Sequence, residues 1–304
     1  RYHRRLIRTQ HNAGQEAGSY HAFHLIYDQN WVDRGMEDIE QALDAAETDG
    51  QRTRIGYVRH NLEALRLYLN YHAATLRFDF PAVREAYDAM HAHWKKGYEI
   101  NTDIVANETP AYLRRFISGF VEQGLKYSSD PYRIVYRIPD ELPTMFDPTG
   151  AGHRLGYQNR EIEDSNFIRT KTISSTWDAQ GLAGLRDARV WYRIHFRLPE
   201  NVEGEPVGLF IGGVEDEARV WINGVSIGTS GRGFSVPFVF DLTEGIDYEV
   251  ENVVAIQVVR NSKANEIGLG GILRPSYVFT GPRLERPSPK PLDLGRVLPG
   301  GEAE

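Results

Sequence analysis

The chain has 304 residues, 41% of them apolar and 25% charged, a globular composition with room for two domains. A formal net charge of -7 lacks the basic excess of a nucleic-acid or anionic-membrane binder, so no nucleic acid is expected as a partner. No apolar run approaches the ~20 residues of a membrane span, and with no cysteine the chain can form neither a disulfide nor a thiolate metal site, nor can it use a cysteine nucleophile.

The chain begins at Arg1 rather than Met, and RYHRRLIRTQHNAG carries neither a helix cap nor a strand pattern. Such a start is expected of a fragment or processed product whose targeting signal lies elsewhere. From there to about residue 130 the apolar period is that of helices. GMEDIEQALDAAETD places Met36, Ile39, Leu43 and Ala46 on one face, with Gly50 as its stop. The next helix carries Ile55, Val58, Leu62, Leu65 and Leu69. A third begins at Pro81, a favoured first helical position, uses Val83, Tyr87, Met90 and Trp94, and stops at Gly97. Thr109 and Pro110 open a fourth, with Leu113, Phe116, Phe120 and Val121 on its apolar side. Short connections between four helices predict an antiparallel bundle.

From residue 131 the period becomes two. In RVWYRIHFRLP, Val190, Tyr192, Ile194, Phe196 and Leu198 alternate with Trp191, Arg193, His195 and Arg197. Ala218, Val220 and Ile222 share a face, as do Phe234, Val236, Phe238 and Phe240, and then Val254, Ile256 and Val258. Short strands joined by Gly- and Asn-rich turns, with no helix between them, predict an antiparallel sandwich. Asn223-Gly224 is the signature of a two-residue hairpin turn. Gly212 and Gly213 allow a tight corner, and Pro237 places its strand at an edge or a bulge. The fold class expected is α+β in two domains, a helical bundle over 1–130 and an antiparallel β-sandwich over 131–283. A Pro-rich tail over 284–304 would lie along a surface through Leu292, Leu294, Val297 and Leu298, or hang loose.

These pieces carry a resemblance. IPDELPTMFDPTGAGHRLGY, STWDAQGL, VWYRIHFRLP, LFIGGVEDEARVWINGVSIG, FSVPFVFDLT, ENVVAIQVVRN and GLGGILRPSYVF occur in the order found in one family. Together they resemble the sugar-binding jelly-roll domain of family 2 glycoside hydrolases, within the galactose-binding-like class. The helical part resembles, less specifically, the segment that follows the catalytic barrel in some bacterial polysaccharide-degrading proteins. The resemblance implies a non-catalytic C-terminal portion of a carbohydrate-active enzyme, secreted or periplasmic. Its jelly roll would bind a poly- or oligosaccharide or buttress an upstream catalytic domain. A free-standing glycan-binding module with a helical assembly domain is the alternative. An alternating βα barrel needs ~250 residues, and no such run is present.

Sugar recognition requires an aromatic face and a few fixed polar groups. The candidates are Trp177, Trp191, Arg193, Trp221, Asn223, Arg232, Asn261 and Glu266. Trp191 and Trp221 fall out of phase with the main apolar face. Each is either an exposed sugar platform or an anchor that packs the sheet on the helical part. Among the 42 carboxylates, Glu215, Asp216 and Glu217 read as a solvated loop, as do Glu161, Glu163 and Asp164. The ten histidines show no ligand spacing for zinc, and His195 reads as surface filling. The galactose-binding-like class often carries a calcium loop. FDPTGAG, with Asp147 as ligand, is the segment that could hold a structural calcium here. The glycines of IGTSGRGFS lie between strands rather than before a helix, which excludes a phosphate loop.

Overall fold

The computed structural model describes residues 1–13, 23–101, 117–175, 177, 179–182, 189–215, 217–230, 235–259 and 271–284. Thr109, Pro110, Leu113, Phe116, Arg232, Phe234, Asn261, Glu266 and the tail after residue 284 lie outside them. The N-terminal part contains helices α1 (Tyr2–His11), α2 (Phe23–Ile26), α3 (Gln29–Asp44), α4 (Asp49–Leu76), α5 (Phe80–Ile100) and α6 (Ser118–Lys126). From α3 onward each packs on the next. Val32, Ile39, Leu62, Leu69, Phe80, Val83, Met90, Phe120 and Val121 form their buried centre. None of the described helices is long and apolar enough to cross a membrane.

Three helix boundaries differ from expectation, each for a local reason. Arg1–Asn12 contains a helix, α1, which has no side-chain cap to announce it. The second long helix begins at Asp49, because Thr48 and Gln51 close a reciprocal capping box around its first turn. Gly50 therefore starts α4 instead of stopping α3. Gly97 lies within α5, where a Cβ would come 2.3 Å from His60 Nε2. It permits a close helix approach and does not end the helix.

The remainder forms two antiparallel sheets. β3 (Ile168–Lys171), β2 (Glu141–Asp147), β4 (Arg189–Phe196), β9 (Asn252–Val259), β6 (Glu217–Ile222) and β7 (Val225–Thr229) make a 6-stranded sheet in that order. β1 (Arg133–Arg137), β10 (Tyr277–Thr280), β5 (Val207–Ile211) and β8 (Phe238–Asp241) make a 4-stranded one. β8 is an edge strand entered directly from Pro237, which costs no ladder hydrogen bond. Asn223 and Gly224 join β6 to β7 with φ of 49° and 85°, the left-handed pair that this turn requires. The alternating set Val190, Tyr192, Ile194, Val220, Ile222, Val254 and Ile256 meets Leu209, Ile211 and Val278 between the sheets. Val236 is 46% exposed and stands outside this core, contrary to the alternation.

The small sheet has a second buried face. Phe210, Tyr277 and Phe279 belong to the same core as Phe80 and Phe120 of the helices. The Phe80 and Tyr277 rings lie 5.5 Å apart, and the Tyr277 hydroxyl donates to the Gly124 carbonyl at 2.9 Å. The chain is thus an α+β structure layered as helices, small sheet and large sheet.

Candidate functional site

The outer face of the large sheet is where sequence placed the sugar candidates. β4 and β6 flank β9 there, so Trp191 and Trp221 project side by side with Ala255 between their strands. Their rings stack with centroids 5.0 Å apart. Both are buried, at 0% and 7% exposure. What covers them is the segment after β2, residues 148–167. Tyr157 packs edge-on to Trp191 at 5.9 Å, and His153 lies over Trp221 at 6.0 Å.

Two charged side chains hold that segment down. The Asp147 carboxylate accepts from the backbone N–H groups of Ala151 and Gly152 at 2.9 and 2.8 Å, and from Trp191 Nε1 at 3.2 Å. Burial pushes its pKa up, but these donors outweigh burial and hold it below the usual carboxylate range. Arg193 is fully buried. Its guanidinium donates to the carbonyls of Tyr157 and Asn159 at 2.8 Å, to Ile162 at 3.2 Å, and to the Asp164 carboxylate at 2.6 Å. His195 Nε2 lies 2.7 Å from the same Asp164 oxygen, and its Nδ1 is 3.2 Å from Glu251. Burial raises the Asp164 pKa, yet the bonds from His195 and Arg193 bring it below normal.

This geometry revises several expectations. Trp191 and Trp221 are neither an open platform nor anchors on the helices; the helices pack on the other sheet. Arg193 faces no solvent and spends its donors on the loop. Asp147 does not present free lone pairs to calcium, since N–H donors occupy them, and the described residues contain no group of three metal-ligating side chains. Trp177 lies in the sandwich core with Phe146, at 1% exposure. Asn223 ties its own turn to β9, donating to Asn252 Oδ1 at 2.8 Å and accepting from Val253 N at 2.8 Å. Glu215 is fully buried and Asp164 is paired, so neither acidic run is a plain solvated loop.

A second location has the features of a site, and sequence reasoning did not single it out. Where α2 and α4 meet the β part, a cavity of about 50 Å³ is lined by His24, Tyr68, Tyr71 and His72 on one side and Thr172, Ser175 and Arg274 on the other. The His24 and His72 rings stack at 3.6 Å. His24 Nε2 lies 3.2 Å from the Ile173 carbonyl, and its Nδ1 is 3.4 Å from the Tyr68 hydroxyl. Burial drives the His24 pKa down to about 4, and burial with the neighbouring His24 drives His72 to about 3. These residues come from four separate stretches, so no spacing in the sequence joins them.

Comparison with known proteins places part of the chain. A family model described as the β-galactosidase second all-β domain matches residues 158–264. A β-glucuronidase of Formosa agariphila is 44% identical over 69 residues, covering 23% of this chain and 7% of that protein. A β-galactosidase of Thermoanaerobacter pseudethanolicus is 42% identical over 69 residues, covering 22% of this chain and 9% of that protein. Among solved structures, the Lactobacillus rhamnosus β-glucuronidase aligns over 51% of this chain and 29% of its own, with a TM-score of 0.44 and 19% identity. The chain therefore spans only a small part of the curated relatives it matches.

Proposed function

Because the β part contains a region of the glycoside hydrolase family 2 β-domain type, we propose that this chain is a non-catalytic portion of a carbohydrate-active enzyme and that its sandwich is a structural buttress. A catalytic domain elsewhere in the parent protein would act on a β-glucuronide or β-galactoside. One observation carries the buttress reading over an open sugar platform: the sheet face bearing Trp191, Arg193 and Trp221 is sealed by the chain's own loop, and Asp147 and Arg193 direct their hydrogen bonds into that seal. A sugar site needs polar groups free to meet hydroxyls. Asp147, Arg193 and Asn223 are already satisfied within the chain.

The test uses the purified 304-residue chain and aryl β-glucuronides and β-galactosides. No turnover is expected, and calorimetry with neutral oligosaccharides should show no heat that Trp221→Ala removes. Hydrolysis abolished by changing a single carboxylate would overturn the non-catalytic assignment. Oligosaccharide binding lost in Trp221→Ala would restore the glycan-binding module.

A further inference from the structure

The cavity between helices and sheets has an electrostatic peculiarity. Among the described residues its lining contains one guanidinium and no carboxylate. Arg274 is only 6% exposed, yet the sole hydrogen bond of its side chain among the described residues runs from Nη1 to the Ser235 carbonyl at 3.3 Å. Its guanidinium carbon also lies 5.2 Å from the centre of the Phe120 ring. A guanidinium carries five N–H donors in a planar fork, and a buried one without a counter-ion is costly. Asp140, which acts electrostatically on His24, is not that counter-ion. Its carboxylate accepts from the backbone N–H groups of Thr172, Ile173 and Ser174 at 3.1, 2.7 and 3.1 Å.

A second buried donor lines the same space. Tyr71 is 4% exposed, and among the described residues its hydroxyl makes no well-aligned hydrogen bond, the Thr75 side chain being the polar group beside it. A tyrosine hydroxyl at that depth normally finds one. Around these two groups stand the stacked imidazoles of His24 and His72, the hydroxyl side chains of Tyr68, Thr75, Thr172 and Ser175, and an apolar wall of Ile117, Leu273 and Pro275. The volume is enough for a group of a few heavy atoms but far below the ~300 Å³ of a typical small-molecule site.

From this geometry we infer that the cavity binds a carboxylate, held by the fork of Arg274 and the hydroxyl of Tyr71, with the histidine pair as its wall. The planar guanidinium suits a planar, two-oxygen anion, and the Tyr71 hydroxyl can donate to either oxygen. Such a ligand would bridge the helices and the sheets, since Tyr71 lies on α4 and Arg274 just before β10. The inference stands apart from the sealed sheet face.

Thermal unfolding and calorimetry of the 304-residue chain test it, with sodium acetate, sodium glucuronate and sodium phosphate compared with sodium chloride at equal ionic strength. A carboxylate should raise Tm saturably with one-site stoichiometry. Arg274→Gln should abolish the effect. Tyr71→Phe keeps the ring in place and should weaken binding about 3- to 10-fold without lowering the anion-free Tm, so it decides the matter even where Arg274→Gln fails to fold. Response to acetate alone would assign a free small acid, and response to glucuronate at least as strong would assign the carboxylate of a sugar acid. No stabilisation beyond chloride, stabilisation by phosphate only, or equal affinity in Tyr71→Phe would overturn the proposal.

Discussion

At the scale of single residues, the cover over Trp191 and Trp221 hangs on the buried guanidinium of Arg193. Trp191, Arg193 and Trp221 do lie out of phase with the sandwich core, as their alternation predicts. Alternation cannot say that a loop more than twenty residues upstream of Arg193 returns to cover them, because that depends on long-range hydrogen bonds such as those of Arg193. The same arginine provides a test. Arg193→Gln leaves the Tyr157, Asn159 and Ile162 carbonyls without their donor and removes one partner of Asp164. We expect a loss of about 3 kcal/mol in urea unfolding. Acrylamide quenching of tryptophan fluorescence should also rise, because the cover over Trp191 and Trp221 loosens. Unchanged stability and quenching would mean that the loop is held by other contacts.

At the scale of elements, the periodicity locates the three long helices α3, α4 and α5 but not α1 or α2, and two glycines mislead. Gly50 and Gly97 look like stops because glycine favours helix ends, yet both lie inside helices. The capping box of Thr48 and Gln51 was available in the sequence to correct the first. Nothing local could correct the second, since the neighbour that needs Gly97 is His60 of another helix. Two further glycines separate the effects of space and propensity. At Gly124 a Cβ would lie 2.1 Å from Cε1 of the fully buried Phe80, so Gly124→Ala should cost about 1–3 kcal/mol. At Gly56, within α4, a Cβ would meet nothing within 4 Å, and Gly56→Ala should stabilise by about 0.5–1 kcal/mol. Thermal melts of the two variants should move in opposite directions.

At the scale of the whole molecule, the join between helices and sheets carries a titratable pair. His24 and His72 are buried as neutral rings, with folded-state pKa values of about 4 and about 3 against an ordinary 6.5. Below pH 6.5 the unfolded chain takes up protons that the folded chain refuses. Stability should therefore fall as pH drops from about 6.5 toward 4, by on the order of a few kcal/mol for the pair. Asp140, Asp147 and Asp164 have lowered pKa values, so their contribution is present above the usual carboxylate range and is lost only at lower pH. Chemical denaturation at pH 7 and pH 4.5 should show the difference, and His72→Gln should flatten it. An equal slope in His72→Gln would place the acid sensitivity elsewhere.

The sequence by itself determined the long helices, the order of helices before strands and the phase of the central strands β4, β6 and β9, because periodicity, caps and turn residues act over a few neighbouring positions. The Asn223-Gly224 turn, the Pro237 edge and the alternation of Val190, Tyr192 and Ile194 are of that kind. Only the tertiary structure decided which faces stay open. It placed Phe210, Tyr277 and Phe279 under the helices and sealed Trp191 and Trp221 beneath the 148–167 segment. It also gathered His24, Tyr71, His72 and Arg274 around one cavity. Those outcomes depend on which surfaces bury the most apolar area together and on where a guanidinium or a carboxylate finds its partners. Both are properties of residues far apart in the chain, and no local pattern encodes them.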